Sequence, residues 1–163
     1  MNGKTEGIIL GLHKKSDSKS LVEVYTRTDG RKTFSVFGSR WKSVLMPLSY
    51  VELTYTMNSA LPFAAINSAQ RIYVPTREDV PHYCMAMFMA EVLEKSLRHP
   101  MQDESLFVWL TDCLQRLDQT DELSAWPAYF LAQLSAQLGY GGEMLEEWQN
   151  LKSYEVIRQI IQE

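Results

Sequence analysis

Residues 31–43 read RKTFSVFGSRWKS, a run in which basic side chains alternate with aromatic and small hydroxyl side chains. Positive side chains bind phosphates, and flat rings stack on bases, each stacked base contributing about 1–3 kcal/mol. These residue types therefore favour non-covalent binding of a nucleic acid. The alternative is a solvated hairpin, because charged residues at strand ends also prevent sheet edges from aggregating.

More basic residues stand close to this run in the sequence. Lysines cluster in the predicted first turn, and an arginine ends the predicted second strand. A glycine, Gly38, allows the backbone to leave the sheet before the last members of the set. The candidate nucleic-acid contacts are Lys14, Lys15, Lys19, Arg27, Arg31, Lys32, Arg40, Trp41 and Lys42.

The aromatic residues of the run are not equivalent. Trp41 stands between two basic residues and is expected to present an exposed ring for stacking or for a protein partner. Phe34 shares a strand face with Val36, so it is expected in the core. The pattern leaves open whether Phe37 faces the core or the solvent.

The charge of the chain is unevenly divided. The net charge is −4 over 163 residues, but residues 1–76 contain ten Lys and Arg against five Asp and Glu, a net charge of +5. Residues 77–163 contain six against fifteen, a net charge of −9. This division predicts two modules, of which the first suits polyanions and the second repels them.

Composition and cysteine usage exclude several classes of protein. No apolar stretch approaches the roughly 20 residues of a membrane-spanning helix, and the amino terminus lacks the pattern of a secretory signal. A cytoplasmic protein with no membrane partner is therefore expected. The only cysteines, Cys84 and Cys113, lie in segments with helical spacing and are expected to be buried and reduced.

The first half of the chain shows the period-two pattern of strands with one buried face. Asp29-Gly30 supplies a tight hairpin turn between the second and third strands. Five short strands in about 70 residues predict a small antiparallel barrel, because closure removes the sheet edges. The five strands are centred on Ile8 to Leu12, Val22 to Val24, Phe34 to Val36, Val51 to Tyr55 and Phe63 to Ile72.

The period changes to 3.6 after VPTREDVP (residues 74–81), which predicts amphipathic helices. The first has the apolar stripe Met85, Phe88, Met89, Val92, Leu93 and Leu97. Asp103 is the expected N-cap of the second, and the third lies within 122–138, with Pro127 in its first turn and Gly139 as a left-handed cap. A last amphipathic segment, Ser153 to Gln162, is expected to dock on the bundle.

No arrangement of residues that would support catalysis is present in the sequence. His13, His82 and His99 are far apart and lack cysteine partners at ligand spacing, and no nucleophile-elbow or phosphate-loop motif occurs. GYGG at 139–142 follows a helix and precedes an acidic segment, so it is interpreted as a helix cap. The sequence therefore predicts a protein that is not an enzyme and binds no cofactor or metal, and a hydrolase is only a weak rival.

Five phrases, in order along nearly the whole chain, resemble the RecO family of bacterial recombination mediators. TEGIIL (5–10) and SDSKSLVEVYTRTDGRKTFSVFG (16–38) are similar to the opening strands of that family, and LPFAAINSAQRI (61–72) is similar to its last barrel strand. FLAQLSAQLGY (130–140) and LKSYEVIRQI (151–160) are similar to two of its helices.

The resemblance implies an α+β fold, with an N-terminal five-stranded OB-type β-barrel in residues 1–76 followed by an all-α helical domain in residues 77–163. It implies a DNA repair and recombination function without bond chemistry: binding of single- and double-stranded DNA, annealing, and loading of the recombinase on the nucleoid. The implied protein partners are RecR and the acidic, aromatic-ended tail of the single-strand-binding protein. The basic rim for that tail would be Lys95, Arg98 and Arg116.

One departure from the family pattern is large. Most family members carry a cysteine-rich, often zinc-binding insertion after Leu-Gly-Tyr, whereas GGEMLEEWQN (141–150) contains no cysteine. No zinc site is therefore expected. The shortening leaves open an alternative from another class, a protein-interaction scaffold that has lost DNA binding.

Overall fold

The computed structural model describes residues 1–74, 79–98 and 100–140. Five strands come first: β1 (Asn2–Lys14), β2 (Lys19–Thr26), β3 (Gly30–Phe37), β4 (Tyr50–Thr56) and β5 (Ala64–Tyr73). Three helices follow: α1 (Val80–Ser96), α2 (Glu104–Gln119) and α3 (Trp126–Gln137). The predicted change from strands to helices is confirmed. The predicted boundary at residue 76, the segment 141–150 and the closing segment Ser153 to Gln162 lie outside the described residues.

Strand pairing closes the sheet into a barrel in the order β1-β2-β3-β5-β4. β1 pairs antiparallel with both β2 and β4, so it belongs to both halves of the barrel. The closing contact is parallel and short, with Phe34 opposite Ala64 and Ser35 opposite Ala65. The predicted α+β fold, an OB-type strand domain followed by helices, is confirmed.

Strand β1 buries side chains on both of its faces. Ile9 lies in the barrel core with Val22. Ile8 and Leu10 point outward and pack in the core of the helices. The prediction of one buried face per strand is wrong here, because the helices cover the outer surface of the barrel at this strand.

The helix ends follow the predicted capping chemistry. The Asp103 carboxylate accepts from the backbone N–H groups of Ser105 at 2.9 Å and Leu106 at 3.1 Å, which fixes the start of α2. Pro127 lies in the first turn of α3, where its missing N–H costs nothing. Gly139 has φ +75°, so the predicted left-handed cap is confirmed.

The two cysteines differ in environment. Cys113 is buried in α2, and burial raises the pKa of its thiol to about 12. Cys84 is exposed on α1, so the prediction that both thiols are buried is wrong for this one. The reason is its position: α1 turns Met89 and Leu93 toward the core, whereas Cys84 lines an open groove beside Tyr83.

Neither a spanning helix nor a metal cluster is found in the described part of the chain. No described helix combines the length and the apolar character needed to cross a membrane. Within residues 1–74, 79–98 and 100–140, no three His, Cys, Asp or Glu side chains are grouped so that they could hold a metal ion.

An ion-pair network ties the barrel to α2. The Arg27 guanidinium donates to Glu104 at 2.6 Å and to Glu6 at 3.2 Å, and the Tyr50 hydroxyl donates to the same Glu6 oxygen at 2.6 Å. The hydrogen bond from Tyr50, reinforced by Arg27, holds the pKa of the Glu6 carboxyl below its ordinary value. The ionised form of Glu6 therefore stabilises the contact between barrel and helices.

We expect Glu6→Gln to lower the free energy of unfolding at neutral pH by about 1 kcal/mol, because the pair is partly solvated. Since the folded pKa is below the unfolded value, this contribution is complete above the unfolded pKa and is lost as pH falls through the folded pKa. Urea unfolding of the wild type and of Glu6→Gln at a series of acidic pH values measures this contribution to the free energy of unfolding. The two curves should converge in acid, and a constant difference at every pH would contradict the assignment.

Candidate nucleic-acid interface

The predicted nucleic-acid contacts divide between the two ends of strands β2 and β3. Lys19 is the register partner of Phe37 at one end, and Thr26 is the partner of Gly30 at the other. Eight residues of strand separate these ends by about 23 Å. One end holds Lys14, Lys15, Lys19, Arg40, Trp41 and Lys42. The other, which we call the hairpin end, holds Arg27, Arg31 and Lys32.

At the hairpin end, the basic side chains are occupied by contacts within the protein. Arg31 donates to Glu23 and to the backbone carbonyls of Glu94 and Leu97, at the end of α1, and its side chain is only 20% exposed. Lys32 pairs with Asp29 at 2.8 Å. Together with the Arg27 network, these contacts position the helices and the hairpin, so we leave the three residues out of the proposed interface.

Every carboxylate of the barrel has a basic partner. The pairs are Lys4 with Glu52, Lys14 with Asp17, Arg27 with Glu6, Arg31 with Glu23 and Lys32 with Asp29. Five basic residues of the barrel form no ion pair with any carboxylate of the described chain: Lys15, Lys19, Arg40, Lys42 and Arg71. We call these five residues the cation-rich end, because all of them lie at or beside the end of the barrel opposite the hairpin.

Two connections bring the cation-rich end together. The Gly38 N–H donates to the Ser18 carbonyl at 2.9 Å, which joins the β1–β2 turn to the loop 38–49 that follows β3. The Arg71 guanidinium donates to the Ser43 carbonyl of the same loop. Arg71 was missed from the sequence, because nothing local connects a residue of the fifth strand with a loop 28 residues earlier.

The loop 38–49 is anchored at both its middle and its end. A helical turn, in which Leu45 N–H donates to the Trp41 carbonyl at 2.9 Å, packs both side chains against the barrel core. Leu48 N–H donates to the Ile9 carbonyl at 2.7 Å, and Ile9 N–H donates to the Ser49 carbonyl at 3.0 Å. The two basic residues of the loop are therefore held on a fixed backbone.

The two aromatic residues of this end have different surroundings. The Trp41 ring is half-buried against the barrel core, and the Arg40 guanidinium lies 4.6 Å from its centroid, so the expected exposed ring is not observed. Phe37, which the sequence left open, is 53% exposed. The Lys19 ammonium lies 5.8 Å from its centroid. Phe34, on the same strand, is buried as predicted.

In the helical part, a groove of about 360 Å³ between α1 and α3 is lined by Lys95 and Arg98 together with Leu131, Leu134 and Leu138. Lys95 also pairs with Glu91 one turn earlier, which is the ordinary role of such a lysine. Arg116 does not line this groove and donates instead to the Tyr129 hydroxyl at 3.0 Å. The structure therefore brings together two of the three predicted rim residues.

Comparison with known proteins gives one family for both halves of the chain. Residues 1–72 match the model described as recombination protein O N terminal, and residues 77–144 match the one described as recombination protein O C terminal. A DNA repair protein RecO of Phocaeicola vulgatus is 33% identical over 83% of this chain and 60% of its own length. A DNA repair protein RecO of Bacteroides fragilis is 31% identical over the same shares. The chain thus spans about 60% of the length of these curated relatives.

Proposed function

The chain belongs to the recombination protein O family of DNA repair proteins, and from this premise we propose that it binds DNA through the cation-rich end of its barrel. It acts as a non-enzymatic accessory protein of repair and homologous recombination. In the mediator role proposed here, it binds or anneals single strands and promotes loading of the recombinase at the nucleoid. In this proposal, residues 1–76 contact the DNA and residues 77–163 bind the protein partners.

The main support for this proposal is the location of the basic residues that have no carboxylate partner. The net charge of +5 of the barrel corresponds to five basic residues without carboxylate partners among the described residues, gathered at one end. Such a patch attracts phosphates, while the acidic helical half disfavours DNA on the other side. Lys14 joins the patch, because an exposed pair such as Lys14–Asp17 is worth at most about 1 kcal/mol and yields readily to a phosphate.

Fluorescence anisotropy of a labelled oligothymidine, titrated with the protein at several salt concentrations, tests the proposal. If about five phosphates are neutralised, the logarithm of the affinity should fall with the logarithm of salt at a slope near −3.5 for a single strand and near −4.5 for a duplex. The absence of binding at low salt would favour the alternative, a protein-interaction scaffold that has lost DNA binding.

The groove between α1 and α3 supports a second part of the proposal, the docking of a protein partner. Its basic rim, Lys95 and Arg98, and its apolar floor fit an acidic peptide with an aromatic end, such as the tail of the single-strand-binding protein. RecR is the other proposed partner.

We expect a labelled acidic peptide of this kind to bind the wild type and to lose about tenfold in affinity in a Lys95→Glu, Arg98→Glu double variant, because two charge-assisted contacts are removed. Arg116→Glu, a single charge reversal outside the groove, is the control. Equal weakening by the control would argue against this groove.

A further inference from the structure

Phe37 presents its ring to solvent at the cation-rich end. It is the only exposed Phe, Tyr or Trp side chain among residues 1–74, and it belongs to neither apolar core. Phe34, three residues earlier on the same strand, points to the other face and is buried. A single exposed apolar side chain is ordinary on a protein surface, so what distinguishes Phe37 is the set of cations around it.

The surroundings of Phe37 indicate what that ligand is. The Lys19 ammonium lies 5.8 Å from its centroid, and Arg40 and Lys42 follow it within five residues along the anchored loop. Beside it, Gly38 has φ +73° and open space where a Cβ would be, so a flat group has room to approach the ring. An open ring among cations fits a nucleobase whose phosphates contact those cations.

Trp41 cannot take this role in the observed arrangement. It packs against the barrel core and is covered by the Arg40 guanidinium at 4.6 Å. The other half-buried ring of the barrel with a cation over it, Tyr55, packs on Phe34 and has Lys32 above it at the hairpin end. Phe37 is thus the ring that the described barrel offers at the cation-rich end.

We propose that Phe37 is the base-stacking residue of the cation-rich end and that it gives the site a preference for unpaired bases over duplex DNA. This inference depends on the proposed DNA binding and deepens it. In a duplex, both faces of each base are already stacked, so the ring gains nothing, whereas a single strand can place a base on it. The cations contribute to the binding of single strands and duplexes alike, because both contain phosphates.

The test compares Phe37→Ala and Phe37→Trp with the wild type, using a labelled oligothymidine and a duplex of the same length. We expect Phe37→Ala to weaken single-strand binding about tenfold, Phe37→Trp to retain it, and duplex binding to change less than about twofold. The salt slope should stay unchanged, because stacking releases no counterions. Tyr83→Ala, which removes a ring of matched 55% exposure on α1, is the control and should change nothing.

Two outcomes would overturn the inference and are distinguishable. If the wild type binds DNA but Phe37→Ala binds the single strand normally, or weakens both forms equally, the stacking role is wrong while the proposed DNA binding stands. If the wild type binds neither form at low salt, the proposed function and the stacking role fail together. A circular dichroism spectrum identical to that of the wild type shows that the variant is folded.

Discussion

Replacing four residues of the cation-rich end by glutamine, at Lys15, Lys19, Arg40 and Lys42, should weaken single-strand binding about a thousand-fold at about 50 mM salt. The slope of log affinity against log salt should flatten from near −3.5 to near −0.7, because four fewer phosphates are neutralised. Stability should change little, since none of the four forms an ion pair with a described carboxylate.

A matched variant separates the location of the charges from their number. Glutamine at Lys4, Lys32, Lys95 and Arg98 also removes four positive charges, two from barrel strands outside the cation-rich end and two from the last turn of α1 and the residues just after it. Three of these residues pair with carboxylates in the structure: Lys4, Lys32 and Lys95. Single-strand affinity should then stay within about threefold of the wild type, with the slope unchanged. Equal loss in the two variants would mean that net charge alone governs binding.

Gly30→Ala should destabilise the protein by about 4 kcal/mol, because two separate costs add. Gly30 has φ +67°, a conformation that strains any L side chain. A Cβ there would also lie 2.5 Å from the carbonyl carbon and oxygen of Met101, in the connection between α1 and α2. That backbone cannot yield without moving the helices off the barrel. Urea denaturation measures the loss.

Gly38→Ala is the internal control for this prediction. Gly38 has nearly the same φ, +73°, but no atom within 4 Å of the added Cβ. Gly38→Ala should therefore lower the free energy of unfolding only by the cost of the backbone strain, about 1–2 kcal/mol. The difference between the two variants isolates the contact with Met101. Equal destabilisation would mean that the barrel and the helices are not held against each other at this point.

The order and type of the elements could be predicted because local chemistry determines them. Period-two and period-3.6 patterns, the Asp-Gly turn and the Asp103 cap each act within a few residues. The double burial of β1 could not be predicted in the same way. Ile8 and Leu10 face outward from the barrel, and only the helices packed there, far along the chain, remove them from water.

The candidate site shows the same limit. The sequence singled out the basic residues as a group but could not tell which ones are neutralised, because the pairing is long-range. Only in the folded chain does Arg27 pair with Glu104, and only there does Arg31 donate to a backbone carbonyl at the end of α1. Likewise, Trp41 and Phe37 have similar sequence neighbours, and only the anchored loop places the first against the core and leaves the second in solvent.

Docking of DNA on the cation-rich end of the barrel can be located residue by residue from the amide chemical shifts of the ¹⁵N-labelled protein titrated with oligothymidine. We expect the largest shifts in two segments, residues 15–19 and 37–42, with the Phe37 amide among them. The hairpin at residues 27–30 and the helices should show small shifts. Shifts centred on that hairpin or on α1–α3, with the turn and loop unchanged, would mean that DNA binds elsewhere.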